Sequence, residues 1–214
     1  LVAELVDPFG DPAAAAVARA VGGAQADEST RIYKKTDSLL RGNVGPELQA
    51  ALEATGATAM VYTPAFPSGG RTTESGTLAL WGTPVAEAAP GRALVTPALE
   101  SHIPTLIAST SNLTCRVIDR QVVESGMGAI AAVFGEARRG DVRVILPDIT
   151  EDSDLDAVAA AMAAADLMHV SGGSAGLAAA LARVDESARE PTLELHATSN
   201  VVAIIGTPME HTQQ

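Results

Sequence analysis

Cysteine is nearly absent: Cys115 is the only one among 214 residues. A lone thiol allows no internal disulfide, so any core must hold by packing, and a reducing compartment fits. Aromatic residues make up only 3% of the chain, which leaves aliphatic side chains to fill that core. Positive charge is also scarce. Against 26 Asp and Glu there are 14 Lys and Arg, a net charge of −12, and such a chain is poorly suited to a nucleic-acid backbone. No apolar run approaches the roughly 20 residues of a membrane span, and no signal peptide is visible. Neither a nucleic-acid nor a membrane partner is therefore expected, and the cytoplasm is the expected location. No His/Cys/acid spacing suggests zinc or another metal held by side chains.

What the chain does have is aliphatic bulk. Hydrophobic residues reach 47%, dominated by Ala, Val and Leu, as in parallel sheets covered by helices. Asp11-Pro12 opens a helix over Ala13–Val21 that Gly22-Gly23 should stop. Strands are expected at Arg31–Lys35, Thr58–Thr63, Cys115–Ile118, Val142–Leu146, Leu167–Val170 and Val201–Ile205. Helices are expected at Pro46–Thr55, Glu100–Ser109, Ala129–Arg138, Leu155–Ala165 and Leu177–Arg183. Strands alternating with helices through short links predict an α/β fold: a mostly parallel sheet of about five or six strands with helices on both faces. Leu78–Trp81, Gly82-Thr83 and Pro84–Ala86 read as a β-hairpin excursion, with Trp81 packing it onto the body or touching a ligand as a lid. His169 is expected to be a buried strand residue.

Arg31 to Leu52, RIYKKTDSLLRGNVGPELQAAL, carries the densest chemistry. A strand ends in Lys34 and Lys35, a polar loop covers Thr36–Gly45, and a helix follows with Gly45 or Asn43 as cap. Open α/β sheets bind ligands at such a strand's carboxyl end. Adjacent strand residues point to opposite faces, so only one lysine should enter a given crevice. Asp37 can accept from hydroxyls or a metal, Arg41 offers a planar fork for a carboxylate or phosphate, and Ser38 and Asn43 donate or accept. That set suits a small, anionic, polyhydroxylated ligand. The alternative is a solvated loop whose charges pair with one another. Ser68–Thr73, at the end of the next strand, adds flexible backbone and Arg71, an arrangement open to an anion nest or an ordinary turn. Asp148, just past a strand, either faces the crevice or begins the acidic run Glu151–Asp156.

KKTDSLLRGNVGPEL, together with PAFPSGGRTTESG (Pro64–Gly76), resembles the four-carbon acid sugar kinase family, long catalogued as a domain of unknown function. The similarity continues through VILPDITEDSDLDAV and GGSAGLAAALA. Leu39 stands where the family usually has Thr, and Thr96 where an Asp is usual. The resemblance implies an ATP-dependent, magnesium-requiring kinase of two domains that phosphorylates the terminal hydroxyl of a threonate, erythronate or 3-oxo-tetronate. It implies that Lys35, Arg41 and Arg71 hold the substrate carboxylate, with Ser38 and Asn43 beside them, and that Asp37 orients a hydroxyl or acts as the catalytic base. Residues 1–183 would then be the sugar-acid-binding domain, 184–199 a linker, and 200–214 the start of the nucleotide-binding domain. In that last part Gly206 and Thr207 fall where the family contacts ATP.

Two features of the family's pattern are not found in these residues: an acidic first loop upstream and Gly-rich ATP loops downstream. The expectation is a chain truncated at both ends and inactive by itself, its oligomeric state open, a homo-oligomer included. Two rival readings stand beside the kinase. One is a module that binds a sugar acid or another anion without catalysis. The other is a serine hydrolase, because Gly172-Gly173-Ser174-Ala175-Gly176 matches a nucleophile elbow between strand and helix, with Asp185 and His196 or His211 as partners. Against the hydrolase, no strands of adequate length carry those partners, and the expected reading is a Gly-rich turn that lets a helix pack tightly on the sheet.

Overall fold

The structure is a computed structural model, and it describes residues 11–24, 30–89 and 97–184. In chain order its elements are α1 (Asp11–Ala24), β1 (Ile32–Lys35), α2 (Val44–Thr55), β2 (Met60–Thr63), a 3-10 turn (Pro67–Gly69), β3 (Arg71–Glu74), β4 (Thr77–Leu80) and β5 (Thr83–Pro84). Then follow α3 (Ile103–Thr110), β6 (Cys115–Ile118), α4 (Arg120–Glu124), α5 (Met127–Arg139), β7 (Val144–Pro147), α6 (Asp152–Ala164), β8 (Val170–Gly173) and α7 (Ala175–Val184). The strand expected at Val201–Ile205 and residues 185–199 of the expected linker fall outside the described residues, as do Thr96, Asp185, His196 and His211; Val184, expected to begin that linker, instead ends α7.

Five strands form one sheet in the order β1-β8-β2-β7-β6, and every pairing in it is parallel. Side-chain alternation divides the core in two. Ile32, Met60, Tyr62, Val144 and Leu146 meet α1, α2 and α3 on one face. Val61, Ile118 and Ile145 meet α4 to α7 on the other, around Phe134 and Met162. The central strands β2 and β7 are buried at every residue, which is why MVYT and VILP read as continuous apolar runs.

The faces follow from connection handedness. The chain moves across the sheet from β1 to β2 to β6 with α2 and α3 on one face, then returns through β7 to β8 with α5 and α6 on the other. A right-handed crossover requires that change of face when the direction reverses. The returning strand β8 inserts between β1 and β2. The helix after β1 therefore goes to one face and the helix after β8 to the other. The chain thus leaves the carboxyl ends of these two neighbouring strands toward opposite faces, the topology at which such sheets bind ligands.

Several expectations need correction. Gly22 and Gly23 lie inside the last turn of α1. The expected strand Leu167–Val170 begins three residues later and includes Gly172 and Gly173, because Ile32 pairs with Val170 and Lys35 with Gly173. His169 lies ahead of that strand and is exposed; its carbonyl accepts from Ile32 N–H. The expected flexible loop at Ser68–Thr73 is a 3-10 turn followed by β3, and the hairpin is a three-stranded antiparallel sheet. Its two turns centre on Ser75-Gly76 and Trp81-Gly82, all four at positive φ, the backbone that tight hairpins select. Trp81 is 74% exposed, so it does not pack the hairpin onto the body; its indole covers Gly70 instead. The acidic run before α6 is only partly solvated: Asp154 is buried, completes a capping box with Glu151, and pairs with Arg120. Among the described residues, no helix is long and apolar enough to cross a membrane.

Candidate functional site

The loop between β1 and α2 is built on Asp37. Its Oδ2 accepts from Leu39 N–H at 3.0 Å, Arg41 N–H at 3.2 Å and Arg41 Nε at 2.8 Å. Its Oδ1 accepts from Arg41 Nη2 at 2.6 Å. Such a two-pronged, charge-assisted pair fixes both side chains in one plane. Burial pushes the Asp37 carboxyl upward, but the Arg41 guanidinium and the two backbone donors outweigh it and hold the group below its ordinary 3.8. Beneath the pair, Leu39 and Leu40 are buried. Leu40 has φ of 61°, a left-handed conformation costly for a branched side chain. Its burial holds it there, so the loop is anchored from below and charged above.

The two lysines diverge, as strand alternation requires. Lys34 turns under α2, where its Nζ lies 2.7 Å from Glu47 Oε2 and donates to the Lys35 carbonyl at 2.6 Å. Lys35 is half-buried on the other side, its Nζ donating to the Thr36 carbonyl at 2.7 Å. Thr36 is pinned from two directions. Its N–H donates to the Gly173 carbonyl, and its hydroxyl lies 3.1 Å from that of Tyr62, which is fully buried. Ser38 is half-buried at the loop's turn. Asn43 occupies the N-cap position of α2 without capping it, and its Nδ2 is buried with no hydrogen-bond partner among the described residues.

Arg71 stands on β3, in the excursion that follows β2. Its Nη1 donates to the Gly69 carbonyl at 3.2 Å, whereas its buried Nε has no partner among the described residues. A buried donor left open is uncommon in proteins, so Asn43 and Arg71 are the two groups here with capacity for an acceptor. The hairpin that carries Arg71 is tied to the sheet by Asp148, which accepts from Ser75 N–H at 2.7 Å and Gly76 N–H at 2.9 Å. Burial raises the Asp148 carboxyl above its ordinary 3.8, although these two donors act in the opposite sense. Asp148 is thus a strut for the hairpin turn.

The glycine-rich turn after β8 is a packing device. A Cβ on Gly173 would lie 2.0 Å from the Thr63 carbonyl oxygen, and one on Gly176 2.6 Å from that of Ala65. Ser174 is 1% exposed, and its hydroxyl donates to the Ala65 carbonyl at 3.3 Å. A nucleophile elbow instead presents its serine to the solvent side of the sheet. Tyr33 completes the arrangement by donating to the Ser174 carbonyl at 2.5 Å.

Asp37, Ser38, Arg41 and Asn43 thus share one loop, Lys35 ends the strand before it, and Arg71 belongs to the excursion that follows β2, two strands away across β8. Gly206 and Thr207 lie outside the described residues. Among the described residues, no group of three or more His, Cys, Asp or Glu could hold a metal ion. Sequence reasoning missed Glu47, Thr36 and Tyr62 as the loop's supports. The signal for Glu47 was an acid in the first turn of α2, which suggests a helix-dipole role before a buried partner.

A family model described as a sugar-binding N-terminal domain matches residues 10–181. A D-threonate kinase of Bordetella bronchiseptica is 38% identical over 155 residues, covering 72% of this chain and 36% of that protein. A 3-oxo-tetronate kinase of Escherichia coli is 32% identical over 147 residues, covering 69% and 37%. The chain therefore spans little more than a third of the length of these curated relatives. A domain of unknown function from Bordetella bronchiseptica, crystallised with citrate as a domain-swapped dimer, superposes with a TM-score of 0.69 at 35% identity, covering 83% of this chain and 43% of that one.

Proposed function

The chain belongs to the family of sugar-binding N-terminal domains, and from that membership we propose that it is the substrate-holding part of an ATP-dependent kinase for a four-carbon sugar acid. The observation that carries the reading is the β1–α2 loop. It follows the carboxyl end of a parallel strand, and in it Asp37 orients the Arg41 guanidinium through two hydrogen bonds. Relatives named for threonate, erythronate and 3-oxo-tetronate phosphorylation support the substrate class. Arg41, Lys35 and Arg71 supply positive charge for a carboxylate, and Ser38 and Asn43 supply neutral contacts to hydroxyls. Asp37, already accepting from Arg41 and two backbone donors, suits the orientation of Arg41 better than proton abstraction.

ATP, with magnesium, supplies the phosphoryl group when bound. Gly206 and Thr207 are the residues proposed to meet it. Phosphoryl transfer depends chiefly on positioning and on neutralising charge, and this domain's share is to fix the sugar acid. The second reading is a non-catalytic module that holds a sugar acid or another anion, favoured by Asp37, whose carboxylate is already taken up by Arg41 and two backbone donors.

The test is calorimetric titration with D-threonate, D-erythronate and a 3-oxo-tetronate. A charge-assisted hydrogen bond contributes about 1.5–3 kcal/mol, so Arg41→Ala should weaken binding roughly ten- to a hundredfold. Arg41→Lys should recover only part, since a point charge lacks the planar fork. Unchanged affinity in a folded Arg41→Ala variant, or no binding of any of these acids by the parent chain, would sink the proposal.

A further inference from the structure

We infer that Lys34 and Glu47 are positioning residues, whose buried ion pair sets the place of the substrate loop on the sheet. This rests on the sugar-acid reading above. Both side chains are all but inaccessible, 3% and 4% exposed, so neither is available to a ligand. A buried pair is also a poor way to gain stability. Desolvating two charges offsets most of their attraction, and apolar replacements of similar volume are often as stable or more so. The location of the pair suggests what it does instead.

Lys34 is the penultimate residue of β1, and Glu47 stands in the first turn of α2. Their 2.7 Å contact therefore bridges the two ends of the loop that carries Asp37, Ser38, Arg41 and Asn43. The Asp37–Arg41 pair joins two residues within the loop, whereas the Lys34–Glu47 pair joins the two elements that flank it. Other bonds accompany the pair at the start of the loop. Lys34 Nζ also donates to the Lys35 carbonyl, Thr36 N–H donates to Gly173, and the Thr36 hydroxyl meets Tyr62. Leu40, held at φ of 61°, gives the loop a reason to relax once its ends are released. The Tyr62 hydroxyl is raised above its ordinary value by burial first, opposed by its Thr36 bond, and then by the charges of Asp37 and Glu47. The brace and the loop therefore share one low-dielectric region.

The experiment replaces the pair as a unit, Lys34→Met with Glu47→Leu, so that no charge is left buried alone. Amide hydrogen exchange of the ligand-free chain is then compared at three places: residue 36, which bonds Gly173; residue 47, which bonds the Asn43 carbonyl; and Met60, which bonds Arg143 inside the sheet. Exchange at residues 36 and 47 should accelerate at least tenfold while Met60 and the melting temperature hold. D-threonate affinity should fall at least tenfold. Tyr62→Phe, which deletes one hydroxyl, should loosen residue 36 in the same selective way and serves if the double variant does not fold.

Unchanged exchange at both loop ends overturns the inference. So does acceleration shared equally by Met60, which would make the pair an ordinary structural element, and so does loosened exchange with undiminished affinity. If the parent chain binds no four-carbon acid, the sugar-acid reading fails on that arm, and the exchange measurements still decide whether the pair places the loop.

Discussion

At the scale of single residues, Asp37 shows how one carboxylate can organise a loop. It is buried enough to be penalised for its charge, and it stays ionised because Arg41 and two backbone N–H groups surround it. A carboxyl with a lowered folded-state value contributes stability above its unfolded value, and that contribution is lost as pH falls through the folded value. Asp37→Asn should therefore lower the melting temperature at pH 7, where the charge-assisted bonds contribute about 1.5–3 kcal/mol. The gap between variant and parent should close as pH drops below 3.8, the ordinary value for this group. Thermal melts from pH 7 to pH 3 check this. A gap that widens toward acid would mean that Asp37 is not the ionised centre of the loop.

At the scale of elements, β8 passes into α7 through Gly173 and Gly176, positions with no room for a side chain. Gly173 lies at φ of 152° with a would-be Cβ 2.0 Å from the Thr63 carbonyl oxygen, a backbone atom that cannot swing aside. Gly173→Ala should cost about 4 kcal/mol or more, in the range reserved for strain and overpacking. Gly135, inside α5, is the control. A Cβ there meets nothing closer than Arg139 Nη1 at 3.8 Å, so Gly135→Ala should stabilise by about 0.5–1 kcal/mol through helix propensity. Urea unfolding of the two variants separates the cases. A mild Gly173→Ala would show that β8 and β2 can part without cost. The hairpin follows the same logic at longer range, since its first turn is clamped by Asp148, 72 residues further along the chain from Gly76.

For the whole molecule, the proposed function gives the sheet and the loop the holding of a sugar acid, and gives the meeting with ATP to Gly206 and Thr207. The chain spans little more than a third of the length of kinases related to it. Residues 1–214 expressed by themselves should bind a four-carbon acid, and no ADP should form above background when ATP, magnesium and that acid are supplied together. A coupled ADP assay alongside calorimetry checks both halves. Sugar-acid-dependent ADP release from these residues would overturn the proposed division of labour. Binding of neither ligand would remove the kinase reading altogether.

The sequence by itself determined the class of fold and the places of elements such as α2, α5, β2 and β6. Local patterns place Cys115–Ile118 as a strand, Pro46–Thr55 within a helix, and apolar runs such as VILP inside a parallel sheet, because these signals depend only on near neighbours in the chain. The KKTDSLLRGN loop was legible for the same reason. Only the tertiary structure decided which lysine is buried, that Glu47 meets it, that Asp148 serves the hairpin turn, and that Ser174 faces the Ala65 carbonyl. It also put β8 between β1 and β2. Each of these depends on strand order and register, which arise when crossovers of fixed hand close distant segments onto one sheet, and no local pattern carries that information.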